Sequence, residues 1–285
     1  QPRSRGLGDV YKRQFKWSDS FMTRLAVVGA TGLVGTKMLE TIDRKHIQFD
    51  ELVLFSSARS AGKEIEFQGK TYTVQELTEE AASEKFDYVL MSAGGGTSKQ
   101  FAPIFEKAGA IVIDNSSQWR MTNDVDLIVP EVNQPEFKRG IIANPNCSTI
   151  QSVVPLKVLY DAFGLKRVAY TTYQAVSGSG VKGKRDLAEG ANGKAPEAYP
   201  HPIYNNVLPH IDVFLEDGYT KEEQKMIDET RKILGQPDLR VTATCARVPV
   251  QDSHSVEIDV TLDKEATVQE IKDLFENDNR VVLVD

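Results

Sequence analysis

A cysteine in a polar turn is the residue of this chain best suited to covalent chemistry. Cys147 follows the apolar run 141–143 and the turn 144–146, and it precedes an apolar stretch with helical spacing. A thiol at the start of a helix meets unpaired N–H groups and the positive end of the helix dipole, and both favour the thiolate. The pattern therefore predicts a nucleophile at Cys147. The alternative is a buried cysteine that acts only as a small apolar side chain.

A glycine-rich turn follows the first apolar strand, 25–28. Its spacing, Gly-x-x-Gly-x-x-Gly, permits a tight turn and lets the backbone approach the pyrophosphate of a dinucleotide at the start of a helix. The residues expected to contact this cofactor are Gly29, Thr31, Gly32, Leu33, Val34 and Gly35. A tight strand-to-helix turn without a ligand is the alternative.

The end of the second apolar strand indicates which dinucleotide binds. An NAD site usually has an acidic residue there for the ribose hydroxyls, but Asp50 and Glu51 precede this strand. Ser57, Arg59 and Ser60 follow it instead, and an arginine beside hydroxyl groups suits the 2′-phosphate of NADP. We therefore predict NADP, against the alternative of a solvated loop arginine.

A second loop of small residues, Ser92-Ala93-Gly94, follows the apolar strand 88–91. Small residues at the carboxyl end of a strand let a cofactor lie against the backbone, although an ordinary glycine loop before a helix has the same composition. A reactive cysteine combined with a nicotinamide cofactor suggests the oxidation of an aldehyde through a thioester.

Two alternating strands late in the chain carry polar side chains on their apolar faces. Arg247 shares its parity with Val241 and Cys245, and His254 begins the apolar face of the following strand, 254–262. Inward polar groups are costly unless they have partners. The arginine suits a substrate carboxylate and the histidine suits proton transfer, with two satisfied structural groups as the alternative. Cys245 itself is predicted to be a core residue.

Helical spacing brings a glutamate and a lysine together. Thr220 and Glu223 form a capping-box pattern, which gives Glu223 a local role and leaves Glu222 without one. Glu222 lies three residues before Lys225, on the same helix face. The pair could bind a charged substrate, but the spacing alone favours a surface ion pair that contributes little.

The elements around these residues predict two domains. Short apolar strands alternate with helical segments from residue 22 to Cys147, which is typical of an α/β domain with a Rossmann-like parallel sheet. Longer alternating strands follow, so we expect a second α+β domain with a mixed sheet. The expected boundaries are 1–21 for an extension, 22–147 for the NADP-binding domain and 148–285 for the second, catalytic domain.

Composition excludes several classes of function. The 285 residues carry a formal charge of -7, which argues against a protein that binds nucleic acid through a basic face. No apolar run approaches the length of a membrane span. Two cysteines do not make a disulfide framework and fit the reducing cytoplasm, and four histidines without paired spacing argue against a metal site.

Both ends of the chain depart from the pattern. Residues 1–21 are basic without clear periodicity, and Gln1–Gln14 resembles translated sequencing-adapter sequence. We therefore predict a native start at Met22 and an extension foreign to the fold, with a disordered native arm as the alternative. The apolar run 281–284 predicts a strand that is cut at Asp285.

Four segments together resemble the aspartate-β-semialdehyde dehydrogenases. Gly29–Gly35 is similar to the family's GATGxVG turn, Asn144–Thr149 to its NPNCST motif, Tyr173–Gly178 to its YQAVSG loop, and 247–254 to its R-[IV]-P-V…H segment. The resemblance covers the chain from Met22 onward. It implies an NADP domain joined to a domain for catalysis and dimerisation.

The resemblance also implies a role for each matching residue. Cys147 would be the nucleophile, His254 the general acid and base, and Gln174 the residue that orients the substrate. Arg247 would hold the substrate α-carboxylate and Glu222 its amino group. The residues that would bind phosphate are Arg120, Asn146 and Lys225. Further cofactor contacts in the YQAVSG loop would be Ser177 and Gly178.

The implied reaction interconverts aspartate semialdehyde and aspartyl phosphate, using NADP and inorganic phosphate, in the biosynthesis of lysine, threonine and methionine. A thiohemiacetal and then a thioester would form on Cys147, and phosphate would cleave the thioester. The family implies a homodimer. Its members continue beyond residue 285 with a final helix that returns to the cofactor domain, so we expect an open sheet edge and an exposed apolar face.

Two other functions stay open. N-acetyl-γ-glutamyl-phosphate reductases use the same chemistry, but their cysteine motif has a glycine before the cysteine, where this chain has Asn146. A non-catalytic fragment that binds NADP or forms a dimer is the alternative from another class.

Overall fold

A seven-stranded sheet occupies the first half of the chain. The structure is a computed structural model that describes residues 22–284, so the predicted extension 1–21 and Asp285 lie outside the described residues. The strands are β1 Arg24–Val28, β2 Glu51–Ser56, the hairpin β3 Glu64–Phe67 and β4 Lys70–Thr73, β5 Gln75–Glu76, β6 Tyr88–Met91, β7 Ile111–Asp114, β8 Asp126–Leu127 and β9 Ile141–Ala143. Across the first sheet the order is β5-β2-β1-β6-β7-β9-β8, with every pair parallel.

Continuous apolar strands explain this sheet. Residues 25–28 are buried, because helices cover both faces of a parallel sheet. The helices of this half are α1 Leu33–Arg44, α2 Glu79–Ala82 and α3 Gly95–Lys107. Phe55, Phe86 and Phe105 pack ring against ring in the core. The predicted Rossmann-like parallel sheet is confirmed.

The second half is built on a three-stranded mixed sheet. Its elements are α4 Cys147–Phe163, β10 Leu165–Gln174, α5 Gly180–Gly190, α6 Lys221–Leu234, β11 Arg240–Arg247, β12 His254–Leu262 and α7 Val268–Asn277. The central strand β10 runs parallel to β11 and antiparallel to β12. The predicted mixed sheet is therefore confirmed, and α4 and α6 pack together in a shared core over it. Cys245 lies in that core with no exposed surface, as predicted.

The last described residues correct one prediction. The apolar run 281–284 forms no strand; residues 281–283 line a cleft together with Val129, Ile150 and Val154, but Val282 and Val284 are 87% and 82% exposed. In the described part of the chain, no helix is long and apolar enough to cross a membrane.

Candidate active site

The predicted nucleophile begins a helix. Cys147 is the first residue of α4, and Asn146 caps the helix by accepting hydrogen bonds on Oδ1 from the amides of Ser148 (2.9 Å) and Thr149 (3.3 Å). The asparagine is itself held, since its backbone N–H donates to Glu229 Oε2 at 2.6 Å. Hydrogen bonds to the start of α4 and to Glu229 of α6 therefore both hold the turn before Cys147 in place.

The thiol of Cys147 is less acidic than its position predicts. The residue is open to solvent but sits in a concave site, and partial desolvation raises the pKa of its thiol, with the Glu222 carboxylate adding to the rise. The Ser148 N–H, Arg247 and Arg120 lower this pKa but do not outweigh the burial. Desolvation and the distant Glu222 carboxylate therefore act against the expected preference for the thiolate.

Three predicted residues meet at one end of the second sheet. Gln174, the last residue of β10, pairs in register with Arg247 on one side and with His254 on the other. Since β10 and β11 are parallel and β12 is antiparallel, the ends of two strands and the start of the third lie side by side. Gly178 packs against this group, since a Cβ there would lie 3.0 Å from Arg247 Nη1 and 3.8 Å from His254 Cε1.

His254 is arranged to exchange protons. Burial lowers the pKa of its imidazole, so the neutral ring is favoured at neutral pH. Two backbone groups lie at Nδ1, the Ala175 N–H at 3.0 Å and the Ser253 carbonyl at 2.7 Å. In the tautomer that donates from Nδ1 to Ser253, Nε2 is left to accept a proton.

Arg247 is a buried cation that can take a carboxylate. Its side chain is nearly enclosed, and Nη1 donates to the Ala175 carbonyl at 2.8 Å. Nε is buried without a hydrogen-bond partner, and no carboxylate among residues 22–284 forms an ion pair with this guanidinium. A buried arginine of this kind is costly unless an anionic ligand completes it.

A buried carboxylate joins the nucleophile turn to the end of the second sheet. Glu222 Oε1 accepts from Asn146 Nδ2 at 2.8 Å and from Gln174 Nε2 at 3.2 Å. Its Oε2 accepts from Lys225 Nζ at 3.2 Å, and the same lysine donates to Asp212 at 2.9 Å. Because Glu222 is only 6% exposed, the surface ion pair favoured by spacing alone is wrong.

Arg120 enters this site from the first half of the chain. It is buried in the loop after β7 and ion-paired with Glu229 through Nη1 at 3.0 Å. Nε donates to the Asn144 carbonyl at 2.9 Å, and Nη2 donates to the Asn115 carbonyl at 3.0 Å. The loop reaches the nucleophile turn because β7 and β9 are neighbours in the first sheet.

Most of the residues predicted to bind a dinucleotide gather at the carboxyl ends of β2, β1 and β6, which are neighbours. Ser177 and Gly178 instead lie after β10, in the second half of the chain. Gly29 has φ +84° and approaches the next loop so closely that a Cβ would lie 2.4 Å from the Ser92 carbonyl oxygen. Gly32 and Gly94 are the N-caps of α1 and α3, and neither helix start has a side-chain cap, so their amides are available to phosphate groups.

The remaining residues predicted to bind the cofactor differ in how exposed they are to solvent. Thr31 and Ser56 hydroxyls lie 2.9 Å apart between the first two strand ends. The exposed residues around them are Leu33, Val34, Ser57 and Arg59. Ser60 is buried, so its hydroxyl is less accessible to a ligand than that of Ser57. Within residues 22–284, no cluster of His, Cys, Asp and Glu is placed to bind a metal ion.

Comparison with protein families gives two matches along the chain. Residues 24–139 match a family model described as the NAD binding domain of semialdehyde dehydrogenase. Residues 156–285 match a model described as the dimerisation domain of the same enzymes. The aspartate-semialdehyde dehydrogenase from Aquifex aeolicus is 50% identical over 273 residues, covering 92% of this chain and 80% of the relative. The chain belongs to the aspartate-semialdehyde dehydrogenase family.

Other members of the family agree with this assignment. The enzyme from Bacillus subtilis is 45% identical over 277 residues, covering 92% of this chain and 80% of its own length. Aspartate semialdehyde dehydrogenase II from Vibrio cholerae, solved in complex with ASA, superposes with a TM-score of 0.86 at 44% identity, covering 90% of this chain and 80% of that one. The resemblance inferred from the four motifs is confirmed.

Two residues of this site were not predicted from the sequence. Glu229 binds both Arg120 and Asn146, and Lys232 donates three hydrogen bonds to the loop that carries Arg120. Both lie on the face of α6 that carries Glu222 and Lys225. Their spacing from Glu222, seven and ten residues, was the available signal.

Proposed function

We propose that this chain interconverts aspartate semialdehyde and aspartyl phosphate, with NADP as cofactor, through a thioester on Cys147. The observation that supports it most is the Glu222 carboxylate, which bonds to Asn146 and to Gln174 and so joins the nucleophile turn to the sheet end that carries Arg247 and His254. These side chains come from distant segments and converge on one site.

The charged side chains of the site suggest how aspartate semialdehyde and phosphate would be oriented. The buried guanidinium of Arg247, which forms no ion pair among the described residues and has no partner at Nε, suits the α-carboxylate, because an arginine can hold a carboxylate with two parallel hydrogen bonds. Glu222 suits the α-ammonium group, and its two amide partners keep it in place. Arg120 and Lys225 supply positive charge for phosphate.

The chemistry on the protein side begins with a proton transfer. Because the pKa of the Cys147 thiol is raised and that of His254 is lowered, the resting pair is a neutral thiol and a neutral imidazole. His254 accepts the proton as sulfur attacks the aldehyde carbon and forms the C–S bond of a thiohemiacetal. A bound nicotinamide supplies a hydride acceptor for the oxidation of this adduct to the thioester.

Phosphate completes the reaction. Held by Arg120 and Lys225, a phosphate oxygen attacks the thioester carbonyl, the C–S bond breaks, and the sulfur regains its proton from His254. In sum, aldehyde, oxidised cofactor and phosphate give acyl phosphate, reduced cofactor and a proton. The reverse direction suits a biosynthetic route to lysine, threonine and methionine in a reducing cytoplasm, where both cysteines stay free.

NADP is the cofactor that the first sheet supports best. The uncapped starts of α1 and α3 suit the pyrophosphate, and β2 itself ends in Ser56 instead of the acidic residue typical of an NAD site. Exposed Ser57 and Arg59 follow and suit a 2′-phosphate. A related enzyme from Candida albicans, 27% identical with a TM-score of 0.70 over 90% of this chain and 76% of that one, was solved with NADP.

A homodimer through the second domain is part of the proposal. The family model that matches residues 156–285 describes a dimerisation domain. The outer face of the second sheet is open, and Tyr173, on its central strand, is 47% exposed. A large exposed aromatic on a central strand is typical of a surface that another protein covers.

Phosphate-dependent reduction of NADP by aspartate semialdehyde tests the function. We expect turnover by the wild-type chain, a loss of about a thousandfold or more in Cys147→Ala, and near wild-type turnover in Cys245→Ala, because Cys245 is a buried core residue with no role in the proposed reaction. Parallel assays with NAD measure the cofactor preference. Turnover only with N-acetyl-glutamate semialdehyde, or tight NADP binding without turnover, would contradict the proposal.

A further inference from the structure

Glu229 is a buried carboxylate for which the proposed reaction has no chemical use. It is 1% exposed, and its two oxygens accept from different partners. Oε1 accepts from Arg120 Nη1 at 3.0 Å, and Oε2 accepts from the backbone N–H of Asn146 at 2.6 Å. One side chain of α6 therefore touches the proposed phosphate-binding arginine and the residue directly before the nucleophile.

A polar stripe on α6 places Glu229 in context. Glu222, Lys225, Glu229 and Lys232 follow one another at intervals of three, four and three residues, which puts them on one helix face. Lys232 Nζ donates at 2.7 to 2.9 Å to three backbone carbonyls in the loop after β7. Those carbonyls belong to Arg120, Thr122 and Val125. The helix thus holds Arg120 at its guanidinium and at its backbone.

The charges show why this arrangement matters for a ligand. The other two described hydrogen-bond partners of the Arg120 guanidinium are neutral carbonyls, so within residues 22–284 Glu229 is the carboxylate that forms an ion pair with it. A buried guanidinium without a counter-charge would swing toward water or distort its loop. With Glu229 and two carbonyls in place, the guanidinium keeps one orientation before any ligand arrives.

We propose that Glu229 is a positioning residue that fixes the phosphate-binding Arg120 and the Cys147 turn relative to each other. The inference rests on the proposed function, because it takes phosphate as the ligand of Arg120. Glu229 acts through Arg120 and Asn146, and it contacts neither substrate nor cofactor in the proposed reaction.

The variant Glu229→Gln tests the proposal, since an amide has one acceptor oxygen and must lose one of the two bonds. We expect the KM for phosphate to rise about tenfold or more, as for a lost hydrogen bond to a charged group. The KM for aspartate semialdehyde, which Arg247 controls, should change less than about twofold. Alkylation of Cys147 by iodoacetamide, measured without turnover, should change about threefold or more in rate.

Glu223→Gln is the matched control. Glu223 lies on the same helix, is also buried, and also bonds to two backbone amides, those of Thr220 (2.7 Å) and Cys245 (3.0 Å). The Glu223→Gln variant should have a lower free energy of unfolding than the wild-type protein, yet keep the wild-type KM for phosphate and the wild-type rate of Cys147 alkylation. If Glu229→Gln does not fold, Lys232→Met should raise the KM for phosphate by freeing the backbone of Arg120.

Three results would contradict the positioning role of Glu229 or the proposed function, and they can be told apart. A folded Glu229→Gln with wild-type values in both measurements would overturn the positioning role. Equal changes in Glu223→Gln would also overturn it, because the effect would then be general loss of stability. A wild-type chain without phosphate-dependent turnover would refute the proposed function, and the alkylation comparison would still decide whether Glu229 fixes the Cys147 turn.

Discussion

The acidity of a single thiol sets the starting point of the proposed chemistry. Cys147 has the helix start that lowers a thiol pKa, yet burial and the Glu222 carboxylate give a net rise. The sequence predicts the first contribution, because the motif and the following helix are local. It cannot predict the second, because Glu222 lies 75 residues away in the numbering and faces Cys147 only after both halves fold.

Neutralising Glu222 should make Cys147 more acidic. Removal of a nearby negative charge lowers a thiol pKa, so Glu222→Gln should move the inflection of the alkylation rate against pH to a lower value. At pH 8, below the raised pKa, alkylation should speed up about threefold or more, equivalent to half a pKa unit. Iodoacetamide kinetics from pH 6 to 10 measure this. An inflection that stays in place or moves upward would contradict the electrostatic account.

At the scale of elements, some helices have a side-chain cap at their N-terminus and others begin without one. Helices α4, α6 and α7 have side-chain caps from Asn146, Thr220 and Thr267, whereas α1 and α3 begin at glycines without such caps. The capped starts stabilise the scaffold, and the glycine starts leave amides for a cofactor. The capping box of α6 and the glycine turn of α1 were both predictable, because each is a local pattern.

Some strands and helices match the sequence prediction and others do not, and both outcomes have physical reasons. The bounds of β9 and β12 match the prediction, because a buried strand is a continuous apolar run and a half-buried strand alternates. Helix α5 begins Gly-Val-Lys-Gly after a Ser-Gly-Ser segment, a composition typical of loops. The hairpin β3–β4 is short and mostly exposed, so its burial leaves little periodicity in the sequence.

Gly29 offers a test of how closely two of these turns approach. Gly29 and Gly62 have nearly equal φ, +84° and +81°, but a Cβ on Gly62 would meet nothing within 4 Å. Gly62→Ala should cost about 1–2 kcal/mol from backbone strain alone. Gly29→Ala should cost about 1–3 kcal/mol more from its collision with Ser92. Urea unfolding of both variants measures the difference, and equal losses would refute the close approach.

For the whole molecule, the site exists only where the two halves of the chain meet. Arg120 comes from the first half and Glu229 from the second, 109 residues apart, and neither half holds the complete set of charges. Sequence periodicity predicts each sheet separately but carries no signal for such contacts. The family resemblance supplied the roles of Arg120 and Lys225, which spacing alone did not.

The exposed face of the second sheet carries the prediction for assembly. If that face forms the proposed dimer, Tyr173→Arg should place two unpaired positive charges at the interface and shift the protein toward monomer. Sedimentation velocity across a range of protein concentrations measures the shift. A stable dimer in Tyr173→Arg, or a monomeric wild-type protein, would contradict an interface at this face.

The carboxylate of Glu222 has one more consequence, which concerns the direction of two amides. Because Oε1 accepts from Asn146 Nδ2 and Gln174 Nε2, both side chains must turn their NH2 groups toward it and their oxygens away. This one negative charge orients the Gln174 amide, and together with the Ser148 and Thr149 amides it orients the Asn146 amide. Aspartate at 146 or glutamate at 174 has nearly the same shape as the native residue but would face Glu222 with a second anion. Charge, and not size, therefore requires an amide side chain at both positions.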